Sequence, residues 1–330
     1  MVSFITNNAM VMAYAARILN MVLSVALLYV ALKKMPFGKL PLLISMCLPI
    51  AIEGFTSLSP DAITISVAYL FIAYVFSFVF CKDEAKKISK KDIVILLILS
   101  VLLALCKIVY LPIVALILLL TKNKFQNKKL HIATVVGIIV ISVTANLLWL
   151  NTANMYLEMY KDGNSNSQIA TIFQNPILYL QRFLATVNYY IGDYTFSLFG
   201  KELGWNEYAQ LNSLLPMVLG ALFVFVSLSD KTLKISLKKY QNVIIGLIIL
   251  AVIGLIFTSL YIQWNSTGNQ LITGIQGRYF IPILPLVVLL IASNLKIKTE
   301  YTEEGIAKFA GITICIAYMY VFIKLLIINI

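Results

Sequence analysis

Ten apolar runs follow one another along the chain, at 10–32, 41–56, 62–81, 92–106, 108–121, 131–150, 211–229, 242–261, 279–295 and 309–327. A backbone inside hydrocarbon must satisfy its own N–H and C=O groups, and continuous rather than alternating hydrophobicity selects helices over barrel strands. Hydrophobic residues make up 61% of the 330 and charged residues 12%. A water-soluble domain carries about 45–50% and about 25%. A soluble enzyme and a disordered chain are therefore excluded. The pattern predicts an all-α, polytopic transmembrane helical bundle, organised as one membrane domain over residues 1–330.

Three runs, 41–56, 92–106 and 108–121, are short of the roughly 20 helical residues that cross a core about 30 Å thick. They are expected as half-membrane or re-entrant helices whose ends are buried in protein or line a wet cavity.

Nineteen of the 26 lysines and arginines fall in five short loops, 33–40, 82–91, 122–130, 230–241 and 296–308. If the ten segments alternate, all five loops share one side, and the positive-inside rule makes that side cytoplasmic. The net charge of +12 then reports topology. It predicts membrane lipids as partners and no nucleic acid. The N-terminus and the 151–210 loop fall outside. That loop is acidic on balance, and its stretch from Ile172 to Phe199 has Ile177, Leu178, Leu180, Phe183 and Leu184 at helical spacing. It reads as an amphipathic segment on the outer leaflet.

The chain has only three arginines, Arg17, Arg182 and Arg278, and all fall on the outer side or in the outer half of a span. Lysine serves as a topology anchor, whereas arginine adds a planar fork that grips phosphate or carboxylate at two points. The distribution points either to an anionic ligand at the outer interface or to pairing with acids and headgroups.

The strongest local signal is Gly274-Ile275-Gln276-Gly277-Arg278-Tyr279-Phe280-Ile281-Pro282-Ile283-Leu284-Pro285. It opens an outward-facing helix start, where unpaired N–H groups attract anions. Its glycines would let backbone approach a ligand. Glu53 and Asp61 flank a Gly/Ser-rich turn, and carboxylates at this depth default to function. Asp61 is equally suited to cap the helix that follows. Lys107, in Cys106-Lys107-Ile108-Val109-Tyr110-Leu111-Pro112, marks the outward tip of the two short runs. It either snorkels to headgroups or meets a phosphate. Arg17 shares a helix face with Tyr14 and Asn20 and faces the same funnel. Trp205 reads as an interfacial belt residue or a sugar-stacking ring.

The four cysteines, Cys47, Cys81, Cys106 and Cys315, form no CxxC pair, and His131 is the only histidine. They read as small buried hydrophobes with no metal or disulfide role. No cofactor is expected, with a divalent metal at Asp61 left open.

These stretches together carry a resemblance. Arg17-Ile18-Leu19-Asn20, Leu58-Ser59-Pro60-Asp61-Ala62, Lys107 to Pro112, Leu203-Gly204-Trp205 and the run from Gly274 to Leu286 occur in the order seen in a bacterial multi-pass family, domain of unknown function 2142. That family is in turn similar to GT-C glycosyltransferases. The resemblance implies a GT-C-like bundle in a bacterial plasma membrane. It implies transfer of a sugar from a polyprenyl-phosphate donor to a glycan acceptor on the outer face, in assembly of cell-envelope polysaccharide or teichoic-acid-type glycan. On this reading Arg278, Gln276, Tyr279, Lys107, Tyr110, Arg17, Arg182 and Trp205 bind substrate, and Glu53 or Asp61 supplies the acid. A flippase or polymerase of lipid-linked saccharides, or a catalytically incomplete partner subunit, is the alternative. The family pattern usually begins with an extra span and an outward loop bearing an Asp-Glu pair followed by His. Here no acid precedes Glu53, so an N-terminal part is expected to be missing from this chain or this copy lacks that base.

Overall fold

Side-chain caps set several of the helix starts in this protein ahead of the edges of hydrophobicity. The computed structural model describes residues 8–81, 83, 86–157, 165–204, 209–266, 269–295 and 301–328. Helix α1 (Ala9–Lys34) starts where the Asn8 side chain accepts the N–H groups of Met10 and Val11. A break at Cys47–Leu48 divides the next run into α2 (Lys39–Met46) and α3 (Pro49–Thr56), bent by 61°. Helix α4 (Asp61–Val79) follows, and α5 (Lys90–Cys106) takes in two lysines because Ser89 and Asp92 form a reciprocal capping box ahead of the apolar run. A 3-10 helix occupies Ile108–Leu119. Then come α6 (Lys128–Leu157), α7 (Ser165–Gln174) and α8 (Pro176–Leu198). A small antiparallel hairpin joins β1 (Glu202–Leu203) to β2 (Ala209–Gln210). The chain continues through α9 (Leu214–Ser229), α10 (Lys239–Trp264), a second 3-10 helix (Gly277–Ile283), α11 (Leu284–Asn294) and α12 (Glu303–Ile328).

Six helical stretches are long and apolar enough to cross a membrane, and a seventh results if the bent α2–α3 pair is one span. This is an all-α polytopic bundle. Helix α4 is its centre, with 83% of its apolar window buried against 17% for α1 and α12. Its Tyr69, Phe71 and Phe76 are sealed in the core, whereas the outer helices keep apolar faces free for lipid.

The shortest runs solve their length problem in different ways. Pro112 removes an N–H and disfavours α geometry at the residue before it. The 3-10 form rises about 2.0 Å per residue, so the twelve residues Ile108–Leu119 extend about 24 Å instead of about 18 Å as an α-helix. The bent α2–α3 pair matches the re-entrant or broken helix expected for 41–56. The single amphipathic stretch expected over 172–199 is instead divided at Asn175–Pro176, where Asn175 caps α8 by accepting the Leu178 N–H. Helix α8 turns Ile177, Leu180 and Leu184 outward and Thr186, Tyr194 and Ser197 inward.

The lysine loops gather at one end of the bundle. The Gly38 N–H donates to Thr232 Oγ1 across two of them. Lys87 Nζ reaches the Asn123 carbonyl, and Lys124 Nζ the Asp83 carbonyl, across two others. Glu303, beside the fifth, shares a cavity with Lys39 and Asp230.

Candidate functional site

Where α5 ends, Lys107 adopts extended backbone (φ −155°) and the chain turns back into the first 3-10 helix. This places a lysine at the opposite end of the bundle from the lysine loops, between the uncharged C-terminal turns of α5 and a 3-10 helix without a charge. Asp61 opens α4, but Ser59 Oγ accepts the Asp61 N–H at 3.2 Å. The cap is therefore the serine, and the Asp61 carboxylate is left for other partners. Lys107 Nζ ion-pairs with its Oδ1, and Arg278 Nε lies 3.1 Å from its Oδ2. The three side chains are 8% (Asp61), 15% (Arg278) and 29% (Lys107) exposed. Desolvation of this kind makes each charge dependent on its partner.

The Arg278 contact is Coulombic, because its Nε–H is not aligned as a hydrogen bond. Among the described residues the terminal nitrogens of its fork have no hydrogen-bond partner. The Tyr279 ring lies beside both cations, 4.9 Å from Lys107 Nζ and 5.8 Å from Arg278 Cζ at its centroid. Tyr110 donates to the Tyr279 carbonyl at 3.0 Å and Tyr69 to the Ile281 carbonyl at 3.1 Å. The second 3-10 helix is thus tied by its carbonyls to the buried α4 and to the first 3-10 helix.

Glu53, on α3, faces the same group of charges. Arg278, Asp61 and Arg17 are its Coulombic neighbours, and the Gly204 N–H is turned toward it. Its Oε2 is buried with no hydrogen-bond partner among the described residues. Arg17 Nε donates to the Thr56 carbonyl at 3.0 Å and Asn20 Nδ2 to the Ser57 carbonyl at 2.8 Å. These two residues lash the turn between Glu53 and Asp61 onto α1.

A groove of about 690 Å³ opens beside this cluster, between α6 and α10, both of which pack on the first 3-10 helix. Trp149 and Ala153 line one wall and Ile256 and Leu260 the other, and Lys107 and Tyr279 reach its floor. The walls are mostly apolar, with Asn146, Thr152, Ser259 and Gln263 among them, and suit an apolar chain that meets a few polar groups.

Several sequence expectations are corrected. The glycines of the 274–285 run serve packing rather than ligand approach. A Cβ on Gly277 would stand 2.0 Å from the Leu198 backbone N, and Gly274 (φ +86°) has the Trp264 ring against it. The expected open helix start is also closed, since the Gly277 N–H donates to Ser197 Oγ. Gln276 precedes it, half-buried, with no side-chain hydrogen bond among the described residues. Arg182 is not brought to the cluster: its Nη1 donates to Tyr261 Oη at 2.8 Å. Trp205 lies outside the described residues. Among those residues no group of three or more His, Cys, Asp or Glu could hold a metal.

Sequence reasoning missed Tyr69 and Ser45, whose mutual hydrogen bond of 2.9 Å supports the carbonyl contact to Ile281. Nothing in a continuous apolar run distinguishes such a tyrosine. It also missed Asp193 and Glu202, near the end of α8. Burial raises the Glu202 carboxyl above its ordinary range, with Lys201 opposing the shift and Asp193 adding to it.

A family model described as "Predicted membrane protein (DUF2142)" matches residues 1–287. No curated protein and no solved structure matches the chain.

Proposed function

The chain belongs to the DUF2142 family of predicted membrane proteins, and on that premise we propose that it is a GT-C-like membrane glycosyltransferase. It takes a sugar from a polyprenyl-phosphate donor at the outer face of the bacterial plasma membrane and delivers it to a glycan acceptor. The single observation that carries this reading is the adjacency of an apolar groove of about 690 Å³ to a buried Lys107–Asp61–Arg278 cluster at its polar end.

The isoprenoid chain lies between α6 and α10. Its phosphate meets the Arg278 fork and Lys107, with Tyr279 and Tyr110 fixing the backbone that carries the arginine. Asp61 already holds two cations, so its role is to position them. Glu53 has a carboxylate oxygen, Oε2, without a hydrogen-bond partner among the described residues and acts as the general base. The acceptor oxygen attacks the anomeric carbon and its proton passes to Glu53. The bond from that carbon to the phosphate oxygen breaks, and the electron pair leaves with the phosphate, stabilised by Arg278 and Lys107. Arg17 positions the Glu53–Asp61 turn, and Arg182 is left out.

A flippase needs a polar route to the other face. Below Tyr110 the first 3-10 helix presents Ile113, Val114, Leu116 and Ile117, all buried, which favours transfer at one face. Binding of radiolabelled polyprenyl-phosphate hexoses to the protein in lipid nanodiscs tests the reading. Arg278→Ala abolishes binding and Arg278→Lys retains little, because lysine lacks the bidentate fork. Unchanged affinity in the alanine variant removes Arg278 from the site and the reading with it.

A further inference from the structure

A second cavity lies at the same end of the bundle, against α8 and separate from the apolar groove. It is a cleft of about 250 Å³ bordered by Tyr190, Asp193, Tyr194, Ser197 and Glu202, and by the segment 272–275. Its chemistry is the inverse of the groove's: two phenols, two carboxylates and the hydroxyls of Ser197 and Thr273 in a small space. Tyr194 is 8% exposed as a residue, and among the described residues its hydroxyl has no hydrogen-bond partner, so it is free to donate to and accept from whatever enters the cleft it lines. The ring itself is fixed from behind, 6.2 Å from Phe280 and 5.8 Å from Tyr190 between centroids.

We infer that this cleft binds a single neutral saccharide ring. Carboxylates accept from sugar hydroxyls, tyrosine hydroxyls both donate and accept, and aromatic faces take the C–H side of a pyranose. The volume is below the roughly 300–1,000 Å³ of sites for drug-sized ligands, so one ring fits rather than a chain. Charge sets the preference. Among the described residues the cation beside Asp193 and Glu202 is Lys201, which lies 3.5 Å from Asp193, and an anionic sugar meets net repulsion. Glu202 opens β1, whose hairpin packs on α3, the helix that carries Glu53. That this ring is the acceptor of the transfer rests on the glycosyltransferase reading; that the cleft takes a saccharide does not.

Saturation-transfer NMR on the intact chain in phosphatidylcholine nanodiscs tests it, with methyl hexosides, methyl N-acetylhexosaminides and methyl glucuronide as probes. A signal is expected from a neutral probe and none from the glucuronide. Glu202→Gln and Tyr194→Phe each weaken binding about tenfold, the loss of one hydrogen bond in a site of this kind. The exposed Asp193→Asn gives a second variant that leaves the packing untouched. Absence of signal from every neutral probe, or equal signals in all three variants, overturns the proposal. Arg278→Ala keeps the saccharide signal while losing the polyprenyl-phosphate hexose. Lipid binding without a saccharide signal sinks the cleft alone, and a saccharide signal without lipid binding sinks the transferase reading alone.

Discussion

The two ends of the bundle use positive charge in opposite ways. At one end lysines are numerous and most stand in solvent, as Lys90, Lys91, Lys122, Lys128 and Lys129 do. At the other end Lys107 and Arg278 converge on a single buried carboxylate. An exposed lysine is screened, replaceable and informative only about which side faces the cytoplasm. A buried cation needs its partner and a fixed geometry, and such an arrangement persists where it has chemistry to perform. Counting charges therefore locates the lysine end of the bundle, and pairing them locates its candidate site.

The sharpest way to break this contrast acts on the reaction proposed above. Glu53→Gln should lower sugar transfer by about 10²- to 10⁴-fold, the usual contribution of a general base, with donor binding retained. Its thermal stability should not fall, because the replaced carboxylate oxygen has no hydrogen-bond partner among the described residues. Transfer assays and unfolding scans on one preparation check both halves. A large fall in stability with transfer intact would make Glu53 structural.

Next in size is Asp61→Ala, which leaves Lys107 and Arg278 as uncompensated cations. A cost of about 3–5 kcal/mol is expected for breaking a buried pair of this kind. The double variant Asp61→Ala with Lys107→Met should lose less than the sum of the two single changes, as a shared interaction requires. Additive losses would show that the two side chains do not support one another. The smallest effect lies at the other end. Lys91→Ala, Lys122→Ala or Lys129→Ala, taken singly, should stay within about 0.5 kcal/mol and leave transfer unchanged. A lysine-end substitution as costly as Asp61→Ala would erase the difference between the ends.

Much of the fold was legible because membrane solvent imposes one rule on every segment. Ten apolar runs and five lysine loops mark the helical segments and the ends that join them without reference to contacts. The break in 41–56 was foreshadowed by its length, whereas the 3-10 form of the 108–121 run was not read from the sequence. The candidate cluster was legible in parts: Glu53, Asp61, Lys107 and Arg278 were each conspicuous as charges beside apolar sequence. Their convergence was not legible, nor was the choice of Ser59 over Asp61 as the cap. Arg182 and Gly277 show the limit most clearly. Each had the right residue type for an anion site, and each is instead committed to a neighbour, Tyr261 in one case and the α8 backbone in the other.

By itself the sequence determined which segments enter hydrocarbon, which end carries the lysines, and how few charges lie elsewhere. These follow from solvation, a property that each segment has before it meets another. Only the tertiary structure decided that Asp61 holds two cations, that one oxygen of Glu53 has no hydrogen bond among the described residues, and that an apolar groove and a polar cleft lie at one end of the bundle. Those depend on distances of a few ångströms between residues far apart in the chain, and local hydropathy carries no information about them.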